Sequence, residues 1–225
     1  MLDTGPSSGV EPVAAWRMLV FARAPIPGQA KTRLIPALGA DGAAQLQGRL
    51  IRHTLATVNA AAPAITELWC SPDTGHALFA AAAQQPRLRC LPQGEGDLGQ
   101  RMAKAFRDAF RENSTAVIGI GTDCPALTAA HLHRAAEALT GSHDAVFIPA
   151  EDGGYVLIGL KHWIPSVFTG IDWGTGQVMA QTRLRLQSAG ASWLELGQLW
   201  DVDRPEDLSR LPSALRSPDF SFPEA

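Results

Sequence analysis

The sequence has few cysteines, no surplus of positive charge and no long apolar run, and each shortage excludes a class of protein. Its 225 residues include 19 Lys and Arg against 22 Asp and Glu, a formal net charge of −3, without the basic run that would follow a nucleic-acid backbone. No stretch approaches the roughly 20 consecutive apolar residues of a membrane span, and no basic residue precedes an early apolar run as in a signal peptide. We therefore expect a cytoplasmic protein with no nucleic-acid partner and no membrane span, in which any phosphate recognition is local.

The cysteines indicate neither disulfides nor a structural zinc site. Cys70, Cys90 and Cys124 are odd in number and widely spaced, without a CxxC pair or a neighbouring His pattern. Free cysteine is among the side chains most often buried. All three are interpreted as small core residues.

Length and composition favour one domain with one sizeable core. A hydrophobic share of 46% is ordinary for a globular chain of this length. The Gly-, Pro- and Ser-rich residues 1–15 have no periodicity and are predicted to be a flexible arm. Residues 16–211 are predicted to form the domain, and residues 212–225 a tail.

Short apolar runs alternate with helical patterns along this domain. Strands are predicted at residues 18–22, 66–70, 88–91, 116–121, 145–149, 155–160 and 193–196. Helices are predicted at residues 41–62, 75–84, 97–111, 177–189 and 205–211, with another starting at Thr128. The alternation predicts an α/β fold, a three-layer α/β/α sandwich with a mostly parallel sheet and an antiparallel piece at 145–160. Ligands of such sheets collect outside the carboxyl ends of the strands.

The loop after the first predicted strand, residues 21–34, has the composition of a diphosphate-binding loop. Arg23, Lys31 and Arg33 place three cations within eleven residues, and Gly28 permits an unusual backbone angle. The spacings of the P-loop and of the dinucleotide GxGxxG are both absent. These four residues are candidate nucleotide-binding residues, and Lys31 is also a candidate catalytic residue. A solvated basic loop is the alternative.

Two acidic segments are candidate metal sites. Asp123 follows the most apolar predicted strand, where a carboxylate can hold Mg²⁺ or Mn²⁺ against a diphosphate, although an Asx turn also explains it. Asp201 and Asp203 precede a Pro at a helix start, where either can be an N-cap. A second carboxylate for the cation of Asp123 is expected from this segment.

Two glycine-containing segments indicate the place of the acceptor or sugar. Asp152, Gly153 and Gly154 separate two predicted strands, and this carboxylate can bind sugar hydroxyls or act as a catalytic base. A simple turn explains the two glycines equally well. Residues 172–178 are interpreted as a flexible loop on the acceptor side.

One further segment, residues 96–102, places a helix N-terminus near the same edge of the predicted sheet. Asp97 is a suitable N-cap there, and Arg101 lies one turn further along. Both are candidate nucleotide-binding residues.

Taken together, five segments resemble the rSAM/selenodomain-associated transferases, bacterial proteins of the nucleotide-diphospho-sugar transferase superfamily, GT-A type. The segments are residues 21–34, 96–102, 121–125, 152–160 and 201–208, and the resemblance covers about residues 17–211. It implies a Rossmann-like GT-A fold, a nucleotide-sugar or nucleoside-triphosphate substrate and a divalent metal. In related CMP-sugar synthetases, a strand-exit Asp and an Asp in a VDxPEDL-like segment hold the metal, which corresponds to Asp123 and Asp203. This chain has Pro25-Ile26-Pro27-Gly28 where the nucleotidyltransferase signature usually has Gly-x-Gly.

The leading hypothesis is a metal-dependent glycosyl transfer from a nucleotide diphospho-sugar to a small-molecule acceptor. Lys31 and Arg33 would stabilise the charge that develops on the leaving diphosphate. Nucleotidyl transfer from a nucleoside triphosphate to a phosphorylated metabolite, with release of pyrophosphate, is the enzymatic alternative. A nucleotide-binding regulatory module without turnover is the second alternative.

Overall fold

A seven-stranded sheet forms the centre of the molecule in the computed structural model, which describes residues 16–216. The strand order is β3-β2-β1-β4-β6-β5-β7, and all neighbours are parallel except β6, which is antiparallel to β4 and β5. The strands are β1 (Arg17–Arg23), β2 (Ile65–Ser71), β3 (Leu88–Pro92), β4 (Val117–Ile120), β5 (Ala145–Pro149), β6 (Tyr155–Leu160) and β7 (Trp193–Glu195). The predicted antiparallel piece is therefore confirmed as the β5–β6 hairpin.

Helices cover both faces of this sheet. They are α1 (Ile35–Ala61), α2 (Ala77–Ala82), α3 (Leu98–Arg111), α4 (Ala129–Thr140), α5 (Val178–Ser188) and α6 (Ser213–Arg216). Within the described part of the chain, 3₁₀ helices lie at Thr32–Leu34, Pro165–Phe168 and Pro205–Arg210. One core cluster joins the sheet to α1, α2 and α4, and a second joins the opposite face to α3 and α5. The predicted three-layer α/β/α sandwich is confirmed.

The two faces of the sheet are packed closely by small residues opposite large ones. Gly119 of β4 lies beneath Phe106 of α3, whose ring carbons would be 2.8–2.9 Å from any Cβ at that position. Gly159 of β6 is crowded in the same way by Val146.

A third apolar cluster joins α1 to Val202 and to Leu215 of α6, so it anchors the segment that follows β7.

Differences from the predicted elements lie at their ends. Helix α1 begins at Ile35, before the predicted start at Asp41, and it is interrupted at Gly39, whose φ is 69°. The last predicted helix is a 3₁₀ helix. Ser213–Arg216 fold as α6 with Leu215 buried, although the tail was predicted to start at residue 212. The predicted arm and residues 217–225 lie outside the described residues.

The cysteines agree with the sequence interpretation. All three are free; Cys70 and Cys124 are buried and Cys90 is half-buried. Burial raises the pKa of the Cys124 thiol to about 11. Within residues 16–216, no helix combines the length and the apolar character needed to cross a membrane.

Candidate active site

A cleft of about 670 Å³ lies at the carboxyl ends of the parallel strands. Residues that follow β1, β3, β4 and β5 line it, together with Ser71 at the end of β2, as the strand-exit argument predicts. The described charged residues that line it are four cations and four carboxylates, namely Arg23, Lys31, Arg33, Arg101, Asp123, Asp152, Asp201 and Asp203. Eight residues from five segments of the chain thus meet in one cleft with balanced charge.

Lys31 is held firmly in the wall of this cleft. Its neighbours Ala30 and Leu34 are fully buried, and its own backbone takes the left-handed conformation, with φ 48° and ψ 44°. That conformation costs a non-glycine residue on the order of 1–2 kcal/mol, so it persists only where other contacts enforce it. The Lys31 ammonium, with a side chain only 6% exposed, donates to the Val202 carbonyl at 2.6 Å and lies 2.7 Å from Asp123 Oδ1.

Asp123 and Asp201 form the acidic centre of the cleft. The Val202 N–H donates to the Asp123 carbonyl at 2.8 Å, which joins the loop after β4 to the segment after β7. Burial, followed by the negative charges of Asp152 and Asp123, raises the pKa of Asp201 to about 6, and Lys31 partly opposes the shift. Asp201 is therefore under the influence of two other carboxylates and of the Lys31 ammonium.

Asp203, predicted as the second metal ligand, lines the cleft but has a different partner. Its carboxylate forms an ion pair with Arg33, whose side chain is exposed, while that of Asp203 is about half exposed. It does not cap the following 3₁₀ helix, since Asp207 Oδ2 accepts the N–H groups of Asp203 and Arg204 at 3.0 and 2.7 Å. The electrostatic neighbour of Asp123 and Asp152 is thus Asp201, two residues earlier.

The three residues predicted as acceptor or sugar site in the β5–β6 turn differ in their positions relative to the cleft. Asp152 Oδ1 accepts the Gly154 N–H at 2.9 Å, and both residues line the cleft. Gly153 does not line it. With φ +90°, Gly153 packs directly on Gly176, and its carbonyl accepts the Met179 N–H at 2.9 Å. The position of Gly153 is thus explained by packing against the loop before α5.

Gln47 and Gln93 organise the cleft wall and were not identified from the sequence. Buried Gln93 donates to the carbonyls of β1 and β2 at Ala22 and Trp69, at 3.2 and 2.9 Å, and accepts from Arg101 Nη1 at 3.1 Å. Gln47 of α1 donates to the Arg23 carbonyl at 3.2 Å and to Thr122 Oγ1 at 3.3 Å. The strand-exit rule applied to β3 would have found Gln93. A polar residue within the apolar stripe of α1 was the available signal for Gln47.

Two other predicted nucleotide-binding residues lie outside the cleft wall. Asp97 caps α3, accepting the Gln100 N–H at 2.8 Å, while the Gln100 side chain accepts the Asp97 N–H at 3.0 Å. Gly28, with φ 77°, turns the backbone of the first loop three residues before Lys31. Both therefore shape segments whose other residues reach the cleft.

An aromatic side chain forms part of the cleft wall. Trp173 lies in the loop before α5 and makes an edge-to-face contact with Tyr155, with ring centroids 6.3 Å apart. It packs directly over Gly99 of α3, where any Cβ would come within 2.6 Å of Trp173 Cε2. Leu98 and Met102 line the cleft beside it. These side chains give the cleft an apolar part of its lining besides its charged residues.

The carboxylates and cations near Lys31 suit a hard cation that is shared with phosphate oxygens. Among residues 16–216, no three His, Cys, Asp or Glu side chains are grouped so as to hold a metal ion. Magnesium is usually bound by one or two carboxylates, with water and substrate phosphates completing its octahedral shell. Asp123 and Asp201 supply two such carboxylates, and a bound cation would favour the charged form of Asp201, whose pKa is raised first by burial and then by the charges of Asp152 and Asp123. The donor set therefore fits Mg²⁺ or Mn²⁺ bound together with a phosphate.

Comparison with protein families decides the relationship. The family model described as an uncharacterized protein conserved in bacteria (DUF2064) matches residues 54–175. The chain belongs to the DUF2064 family. The matched segment contains Asp123 and Asp152 of the cleft, whereas Lys31 and Asp201 lie outside it. A search of curated proteins finds no match.

Solved structures extend the relationship over most of the chain. A proposed nucleotide-diphospho-sugar transferase from Desulfovibrio desulfuricans G20 is 31% identical, with a TM-score of 0.77 over 85% of this chain and 83% of that one. A 4-diphosphocytidyl-2C-methyl-D-erythritol synthase from Anaerococcus prevotii shares 11% identity, with a TM-score of 0.62 over 91% of this chain and 100% of that one. Rv0371c of Mycobacterium tuberculosis, solved in complex with manganese, shares 15%, with a TM-score of 0.50 over 88% of this chain and 97% of that one.

These matches confirm the predicted fold, which is that of GT-A-like nucleotidyl and sugar transferases. They confirm the predicted resemblance as far as DUF2064 and a proposed nucleotide-diphospho-sugar transferase. The narrower rSAM/selenodomain association stays a prediction.

Proposed function

We propose that the chain is a metal-dependent transferase that moves a glycosyl group from a nucleotide diphospho-sugar to a small-molecule acceptor. The observation that carries the proposal is the meeting of Lys31 and Arg33 with Asp123 and Asp201 in one strand-exit cleft. Cations and carboxylates together suit a diphosphate with its divalent cation. The 31% identical protein from D. desulfuricans, itself a proposed nucleotide-diphospho-sugar transferase, supports the glycosyl form.

In this proposal, Asp123 and Asp201 hold Mg²⁺ or Mn²⁺. When bound, the cation supplies positive charge to the diphosphate leaving group. Asp201 takes the place that the resemblance gave to Asp203, because Asp201 is close enough to Asp123 for that charge to raise the Asp201 pKa, while the Asp203 carboxylate contacts Arg33 at an exposed position. The manganese complex of Rv0371c is a property of that protein, and it makes Mn²⁺ a sensible first cation to test.

The remaining cleft residues are given roles by their positions. Lys31 and Arg33 contact the diphosphate and stabilise the charge that develops on it. Arg101, which donates to Gln93 and also lines the cleft, contacts the nucleotide. Asp152 keeps one oxygen on the Gly154 N–H, and its other oxygen accepts the proton of the acceptor hydroxyl.

Nucleotidyl transfer from a nucleoside triphosphate is the second candidate. It is favoured by the fold shared with the A. prevotii synthase over the full length of that protein. Incubation with Mn²⁺ and panels of nucleotide sugars and nucleoside triphosphates separates the candidates. Release of nucleoside diphosphate from a nucleotide sugar supports glycosyl transfer, and release of pyrophosphate from a triphosphate supports the alternative. Stabilisation by nucleotides without either product would indicate a binding module.

The metal assignment predicts a large effect of Asp123→Asn. Because an amide replaces a charged oxygen ligand poorly, this variant is expected to bind the selected nucleotide at least about tenfold more weakly in Mn²⁺. Asp123 is half exposed, so the fold should survive. The matched control is Asp203→Asn, with a smaller expected loss. Equal nucleotide affinity of Asp123→Asn and the unaltered protein by calorimetry would refute the assignment.

A further inference from the structure

One carboxylate proposed for the metal is already neutralised by a cation of the protein. Asp123 Oδ1 lies 2.7 Å from the Lys31 ammonium, and the Lys31 side chain is buried while that of Asp123 is half exposed. Arg33 and Asp203 repeat the pattern at the rim of the cleft. Both cations proposed for the diphosphate are therefore paired with acidic residues of the same cleft in the ligand-free chain.

The Lys31 ammonium and a divalent cation would compete for the Asp123 carboxylate. An ammonium and a divalent cation on one carboxylate are like charges a few ångströms apart, and they repel each other, the more so because the Lys31 side chain is buried. The ammonium has three donors, of which the Val202 carbonyl takes one at 2.6 Å and Asp123 takes another. The backbone anchor on Val202 keeps the ammonium in the cleft when it leaves Asp123.

We propose that Lys31 and Asp123 exchange partners when the two ligands arrive together, the ammonium passing to a diphosphate oxygen and the carboxylate to the divalent cation. The inference rests on the proposed function and adds an order of events to it. The diphosphate gives the Lys31 ammonium a new partner, and the divalent cation gives the Asp123 carboxylate one. Either ligand alone leaves one of these two groups without its partner, so each alone binds poorly. Lys31 is then a built-in counterion that suppresses metal binding at Asp123 until a diphosphate is present.

The first test uses Mn²⁺ alone, with free ion followed by its electron paramagnetic resonance signal. Lys31→Met removes the competing charge and is expected to bind Mn²⁺ at least about tenfold more tightly than the unaltered protein. Lys31→Gln, which keeps a donor for the Val202 carbonyl, should behave in the same way. The control is Lys161→Met, which removes the same charge from an exposed site bonded to the Gly141 carbonyl, and it should leave Mn²⁺ affinity unchanged. Folded Lys31 variants that bind Mn²⁺ no better than the unaltered protein would overturn the proposal.

The second test uses inorganic pyrophosphate, which carries a diphosphate without a base. In EDTA, Asp123→Asn frees the ammonium and should bind pyrophosphate several-fold more tightly than the unaltered protein by calorimetry. In Mn²⁺ the order should reverse. Weaker or equal binding by Asp123→Asn in EDTA would overturn the exchange, and this test decides the matter if the Lys31 variants fail to melt cooperatively.

Failure of the proposed function has a different signature. In that case the unaltered protein binds no nucleotide or nucleotide sugar in Mn²⁺, while the comparison of Mn²⁺ affinities between Lys31→Met and the unaltered protein still reports on the ion pair.

Discussion

Replacing Asp201 with Asn should stabilise the metal-free protein at neutral pH. The pKa of Asp201 is raised from 3.8 to about 6, first by burial and then by Asp152 and Asp123. Between about pH 4 and pH 6, the Asp201 carboxyl is therefore protonated in the folded state but ionised in the unfolded chain. Stability falls as the pH rises through this window, and the full penalty is present at pH 7.

The magnitude follows from the size of that shift. About two pKa units correspond to about 3 kcal/mol, which we reduce to about 1–2 kcal/mol because Asp201 keeps partial contact with water. For a domain of this size, that is a rise in Tm of roughly 2–8 °C. A neutral Asn should remove the penalty at pH 7 and make little difference at pH 4, where the Asp201 carboxyl is protonated.

The assay is thermal unfolding in EDTA at pH 4 and pH 7. Asp203→Asn is the matched control, since that carboxylate is half exposed and paired with Arg33, and it should not stabilise the protein. A gain for Asp201→Asn of equal size at both pH values, or a loss at pH 7, would refute the electrostatic reasoning.

Two glycine substitutions test the packing around the cleft. Gly153→Ala should lower the free energy of unfolding by more than about 2 kcal/mol in urea titration, because φ is +90° and the new Cβ would lie 2.8 Å or less from the Gly176 backbone; an unchanged midpoint would contradict that contact. Gly99→Ala should favour the helix by up to about 1 kcal/mol but displace Trp173, which would change the tryptophan fluorescence while far-ultraviolet circular dichroism stays constant. An unaltered emission spectrum would mean that Trp173 does not pack on Gly99.

Local patterns in the sequence determined the elements and the edge of the sheet that carries the site. Apolar runs of strand length alternate with helical periodicity, and α3 begins at the predicted cap Asp97. Because parallel strands end at one edge, Asp123 and the first-loop cations could be assigned to a common cleft from their places after β4 and β1. Those inferences need only short-range sequence information.

Tertiary structure alone decided which charged groups meet. Asp201 and Asp203 are two residues apart in one acidic segment, so the pattern cannot tell which lies near Asp123 and which pairs with Arg33. That choice depends on Val202, which is fully buried and fixes the segment against the loop after β4. The Lys31–Asp123 pair likewise joins residues distant along the chain, and Coulombic contacts of this kind depend on distances in space that no local propensity encodes.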